Sequence, residues 1–351
     1  MKRISSLVVF CLAIFALVAT ARAQKDDRLS TKSSRTYTGE VSTVGRNEVT
    51  VTTRAGDRKI PVNEIEKINF GEEPRELRLG RESALRSNYD RAIEDLSKVN
   101  IEQLPRDVIK QDAMFYLAWS TAKQGLEGGD KAKGARMLQQ FLKAYPDSFH
   151  YYQAVRTLGD LAVALGRHDV AVGYYRQYGE APFPEYQLQA ALKVASALRV
   201  QQQWEPALAE YEKVLANPLD SPEVMKQKQF AKVGKAACLA GLGKAEEGVA
   251  IIGQVLRENP AEGNGSLYAR AYNALGDCHR QLGQPKQALL DYLHTDLLFA
   301  QDEPDAHAEA LFHLAKLWRE AANNSERALQ ATTLLRNRYA GTRWSKKLGE
   351  G

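Results

Sequence analysis

From about residue 73 onward, apolar positions recur at helical spacing in paired runs, each closing on a short polar turn. Residues 36–71 instead alternate apolar and polar with a period near two. The helical part repeats itself. A small residue is followed seven positions later by Gly at Ala118 and Gly125, Gly159 and Gly166, Ala236 and Gly243, and Gly276 and Gly283. Twelve positions after Gly159, Ala195, Ala236 and Gly276 stands a second small residue, Ala171, Ala207, Gly248 and Ala288, and four further on a large one, Tyr175, Tyr211, Ile252 and Tyr292. Small side chains on both runs let two antiparallel helices cross closely, the Gly between them ends the first helix, and the large residue fills the space behind the crossing. One such pair leaves an apolar face bare, so the pairs must stack.

In these residues, best in "TLGDLAVALGRHDVAVGYY" (157–175) and "LGDCHRQLGQPKQALLDY" (275–292), the chain resembles the tetratricopeptide repeat family. Pro146, Pro218 and Pro260 stand where the family's terminal Pro stands. The resemblance implies a mainly α fold: a right-handed α-solenoid of about seven helix pairs over residues 72–345, preceded by a small β-meander. The small residues Gly80, Ala118, Gly159, Ala195, Ala236, Gly276 and Ala315 place the units near 73–106, 111–150, 152–185, 188–221, 229–262, 269–302 and 308–341, with a tail at 346–351. Successive small residues lie 36 to 41 apart, longer than the family's period, so the extra residues fall in turns. Four of them, Glu127 to Asp130, are expected to form a protruding loop. Gly80 and Ala315 have no Gly seven later, which marks the end units as atypical. The junctions "AYPDSFHYY" (144–152) and "RYAGTRW" (338–344) are similar to those of exported, periplasmic tetratricopeptide proteins of the bacterial envelope.

Before the helices, "TYTGEVSTV", "NEVTVTTRAG" and "RKIPVNEIEKINF" read as a β-module of three or four strands at 36–71, resembling part of an SH3-like or Sm-like barrel. So short a module cannot stand alone. It either caps the first helical pair or offers an open edge to another chain. Residues 24–35 are polar and aperiodic and read as a disordered tether. Residues 1–23 join Lys2 and Arg3 to an apolar run from Leu7 to Val18 and a small-x-small ending at Ala21 and Ala23, the layout of a signal peptide cut near Ala23. The mature chain is then exported, periplasmic or envelope-associated, with no integral membrane span. Losing Lys2, Arg3 and Arg22 with the leader takes the formal charge from +5 to +2, which offers no electrostatic footprint for nucleic acid.

No phosphate-binding loop, dinucleotide fingerprint, metalloprotease pair, nucleophile elbow or CxxC string occurs. We therefore expect no enzyme activity, no cofactor and no metal. The six His residues are dispersed, and the nearest approach to a ligand set, Asp291 and His294 with His307 and His313, lacks a close-spaced third ligand. Cys238 and Cys278, each two residues after its unit's small residue, are expected to be buried, reduced thiols.

The resemblance also implies a groove, lined three residues before and one and four after each small residue. That mapping gives candidate partner-binding residues Phe115, Trp119, Arg156, Asp160, Arg199, Asn273, Asp277, Arg280, Phe312 and Arg319. The family's carboxylate clamp needs a Lys three before and an Asn one after the small residue, and no unit has both. A scaffold holding a protein or peptide partner on its concave face is the expected function. The alternative is a self-assembling envelope component whose β-module or end units form the oligomer.

Overall fold

The computed structural model describes residues 26–349, so the leader expected at 1–23 lies outside the described residues. The chain divides into two compact units, one ending at Ala154 and the other beginning at Val155.

The first unit opens with strands β1 (Asp27–Thr31), β2 (Thr36–Val44), β3 (Glu48–Thr53), β4 (Gly56–Pro61) and β5 (Ile65–Asn69). They form one antiparallel sheet in the order β4-β3-β2-β1-β5. The alternation in β3 and β5 does its expected work: Val49, Val51 and Ile68 point inward with Leu29, Val41, Ile60 and Phe70. β1 corrects the expected tether at 24–35, and the module has five strands rather than three or four. The inward set of β1 is Asp27, Leu29 and Thr31, two polar residues around one apolar one, so no hydrophobic period betrays the strand. Asp27 is buried because it is satisfied. Its carboxylate accepts from the backbone N–H of Val41 at 2.8 Å and of Gly71 at 2.9 Å, and from Arg106 at 2.9 Å.

Helices α1 (Arg75–Leu85), α2 (Tyr89–Leu96), α3 (Asp107–Leu126) and α4 (Lys131–Ala144) complete that unit with the start of α5 (Tyr151–Ala164). Arg81 of α1 is fully buried and binds Glu73 at 2.5 Å, Asp112 of α3 at 2.7 Å and Asn69 Oδ1 of β5 at 3.0 Å. His150, just before α5, meets the other oxygen of Asp112 at 3.0 Å and stacks on Phe115, ring centres 3.8 Å apart. One guanidinium thus ties the sheet to the first two helix pairs, and the β-module packs against them.

The second unit continues α5 and adds α6 (His168–Gly179), α7 (Pro184–Val200), α8 (Trp204–Ala216), α9 (Pro222–Gly241), α10 (Ala245–Glu258), α11 (Gly265–Gln281), α12 (Pro285–Leu298), α13 (Pro304–Glu320), α14 (Ser325–Arg338) and α15 (Arg343–Gly349). The crossings are made as the repeat requires. A Cβ on Gly159 would lie 2.4 Å from the ring of Tyr175, and one on Gly276 2.6 Å from that of Tyr292. Cys238 and Cys278 are buried and free, and burial pushes their thiols up to about 11 and about 12. The tail expected at 346–351 is helical as far as Gly349, as part of α15.

Candidate functional site

In the second unit the first helix of each pair carries polar side chains toward a common interior. Gly159 and Gly276 are each followed by an Asp, and the Tyr sixteen positions after the Gly passes beneath it to donate to that Asp. Tyr175 reaches Asp160 at 2.9 Å and Tyr292 reaches Asp277 at 2.7 Å. Asp160 also accepts from Lys193 at 2.8 Å. Asn273 is buried, and its amide donates to the carbonyl of Ala306 at 2.8 Å and to Glu309 at 3.1 Å, fixing a carboxylate of α13 from α11.

Charges from separate pairs act on one another here. Burial works against the charge on Arg199, at the end of α7, but Glu309, Tyr211 and Asp277 outweigh it and hold the guanidinium above its ordinary range. Arg343 of α15 faces Glu309 and Asp305, then Arg199 and Asp277, while burial pulls it below its ordinary range. Burial, with Arg280, Lys316 and Lys347 repelling a proton, pushes His313 down to about 3, so this ring is neutral near pH 7. Arg199, Asp277 and Glu309 sit on helices of three units and Arg343 on the helix that follows the last one. Direct contacts join three of these helices: Asn273 to Glu309 at 3.1 Å, His313 to Asp277 at 3.9 Å and Arg343 to Asp305 at 3.7 Å.

Residues 112–148 match the family model described as tetratricopeptide repeat. The match covers one helix pair of the chain, α3 and α4. Among solved structures, a tetratricopeptide repeat protein from Parabacteroides merdae is similar at 16% identity, over 78% of this chain and 97% of its own, with a TM-score of 0.58. A Rap protein complexed with Competence and Sporulation Factor is similar at 14% identity, over 78% of this chain and 77% of its own, with a TM-score of 0.54. At those identities the likeness is one of fold. No curated protein matches the sequence.

The tetratricopeptide mapping of the groove meets the structure unevenly. Arg199, Asn273, Asp277 and Arg280 fall in the interior just described. Arg156 and Asp160 are half-buried, with the Arg156 guanidinium 5.9 Å from the ring of Tyr178. Arg319 is exposed near the end of α13. Phe115 and Trp119 are core residues instead: Phe115 is fully buried against His150, and Trp119 packs edge-on to Tyr89 at 5.9 Å. Helix α3 buries 13 of its 20 residues, so positions that face a groove in an ordinary unit face protein here. Phe312 is buried as well, beneath Trp344 of α15, with ring centres 5.3 Å apart.

The mapping missed Glu309, His313 and Arg343. His313 lies two before the unit's small residue and Glu309 six before, outside the family's groove positions, and Arg343 belongs to a segment read as the end of the solenoid. The only sequence signal was that Glu309 and His313 are polar residues in an otherwise apolar run, and Arg343 gave none.

The set of His and acidic residues weighed as metal ligands is taken apart by other bonds. Asp291 shares a 2.5 Å hydrogen bond with His279, and His307 bonds Asp296 and Tyr339 at 2.7 Å each. Among the described residues no group of three or more His, Cys, Asp or Glu is placed to hold a metal ion, and no helix is long and apolar enough to cross a membrane.

Proposed function

We propose that this protein is a non-enzymatic adapter of the bacterial cell envelope that holds a protein or peptide segment on the inner wall of its second unit. The observation that carries the reading is the polar wall shared by α11, α13 and α15, where Asn273 holds Glu309 at 3.1 Å, His313 lies 3.9 Å from Asp277 and Arg343 lies 3.7 Å from Asp305. An extended segment or a helix laid along such a wall finds a carboxylate, a guanidinium and aromatic faces at successive units. Support for protein binding also comes from the Rap protein of similar fold, which is complexed with Competence and Sporulation Factor. The envelope location rests on the signal-peptide layout of residues 1–23.

The test is affinity capture from envelope extract with the chain from Gln24 onward, repeated with Arg199→Ala plus Asp277→Ala. The captured set is expected to shrink for the double variant while its far-UV circular dichroism stays the same. An unchanged set of captured proteins would remove the inner wall from the account. Trp119→Ala is unsuited to this purpose, since Trp119 is a core residue whose loss tests the fold.

A further inference from the structure

Helix α15 spans seven residues, Arg343–Gly349, and carries one large aromatic and three cations in its first five positions. It lies on the same wall. Trp344 is 6% exposed, with its ring 5.3 Å from Phe312 and 5.7 Å from His313, and Leu348 packs on the same cluster. Arg343 is 3.7 Å from Asp305 and faces Glu309, the carboxylate that Asn273 holds in place. A basic, aromatic segment therefore occupies an acidic, aromatic seat, and it covers Phe312, a residue expected to line the groove.

The fit is incomplete. Trp344 Nε1 is buried without an acceptor, a cost borne while α15 fills the seat, and Asn273 Oδ1 on the same wall is buried without a donor. So short a helix cannot persist by itself and is held by its one anchor and its charges. Both features describe an occupant that a better-matched one can replace.

We propose that the seat formed by Phe312, His313, Asp305, Glu309 and Asn273 is a docking site for a basic-aromatic segment of a partner protein, and that α15 fills it in cis until such a segment displaces it. The proposal rests on the reading that the inner wall binds protein segments, and it names the chemistry of the segment. Arg of the partner meets Asp305 and Glu309, its aromatic ring takes the place of Trp344, and a main-chain N–H of the segment donates to Asn273 Oδ1.

The test uses a fluorescein-labelled peptide of residues 340–351 as the probe and follows its polarisation. The full mature chain is compared with the chain ended at Thr342 and with full-length Trp344→Ala, which loosens α15 without shortening the protein. Both altered chains are expected to bind the probe at least 10-fold more tightly than the full chain, and adding Glu309→Gln is expected to remove that gain. Equal binding by all three chains, or no binding by a folded Trp344→Ala chain, overturns the proposal. Light scattering that finds the full chain joined in pairs, with the pairs lost on removing residues 343–351, also overturns it, because the seat is then filled by a second copy. Should capture from envelope extract depend on Arg199 and Asp277 and yet be the same with and without α15, this inference fails while the adapter reading stands.

Discussion

The turn between the two helices of a pair depends on one backbone angle. Seven positions after the small residue the chain is left-handed, with φ of +75° at Gly166, +77° at Gly243 and +70° at Gly283. The same position is left-handed where no Gly marks it, at Ser87 (+60°) and Gln202 (+59°), each seven after its small residue. The sequence pattern finds the turn where Gly stands and is blind where another residue accepts the strain. Gly125 misleads in the opposite way: α3 runs past it to Leu126, and the positive φ falls on Gly128 within the four inserted residues. Since the left-handed form costs an L-residue about 1–2 kcal/mol, Gln202→Gly is expected to raise the unfolding free energy in urea by about 1 kcal/mol, and Gly283→Ala to lower it by a similar amount. Gly276→Ala brings a methyl against the Tyr292 ring in a full core and is expected to cost about 1–3 kcal/mol in the same assay. The buried His313 gives a pH dependence with a definite sign. Its folded value, about 3, lies below the ordinary 6.5, so the unfolded chain binds more protons between those values. Stability is complete above about pH 6.5 and declines as the pH falls through that window, by up to about 1.4 kcal/mol per pH unit. His150 is shifted the same way by burial. The drop in Tm between pH 7 and pH 5 is expected to be smaller in His313→Phe, a variant that keeps a ring against Tyr292.

At the scale of elements, the helices were legible because their apolar periods and turn residues agree, as in α11 and α12, where Gly276, Gly283, Ala288 and Tyr292 fall in register. Three elements were not. β1 hides behind the inward polar residues Asp27 and Thr31: the partners of Asp27, Val41, Gly71 and Arg106, lie far along the chain, and Thr31 bonds Arg35 beyond the strand. α15 looks like a polar end because one Trp and one Leu carry its packing. α3 carries the groove positions expected from the tetratricopeptide resemblance but buries 13 of its 20 residues. The junction of sheet and helices turns on Arg81. Its removal leaves Glu73 and Asp112, 3% and 1% exposed, without their cation. Arg81→Met is therefore expected to lose about 3–5 kcal/mol of unfolding free energy, with the β-module exposed to protease first. A loss under about 1 kcal/mol would mean that apolar packing alone holds the module.

For the molecule as a whole, seven helix pairs could be counted from the spacing of small residues, and the five-stranded module precedes them in the chain. The division near Ala154 and Val155 could not, because α5 runs through it without any break in its apolar period. Nor could the shared interior of the second unit. There Glu309 acts on the charge of Arg199 across 110 positions of sequence, a separation that the spacing of small residues does not reveal. That meeting is the premise of both the adapter reading and the docking seat. It is tested most directly by a double-mutant cycle in urea with Arg199→Ala, Glu309→Ala and the pair. The predicted coupling is about 0.5–1 kcal/mol and favourable, as for charges that act across a common surface. Strictly additive losses would mean that the two side chains do not share an interior, and the inner wall described here would not exist.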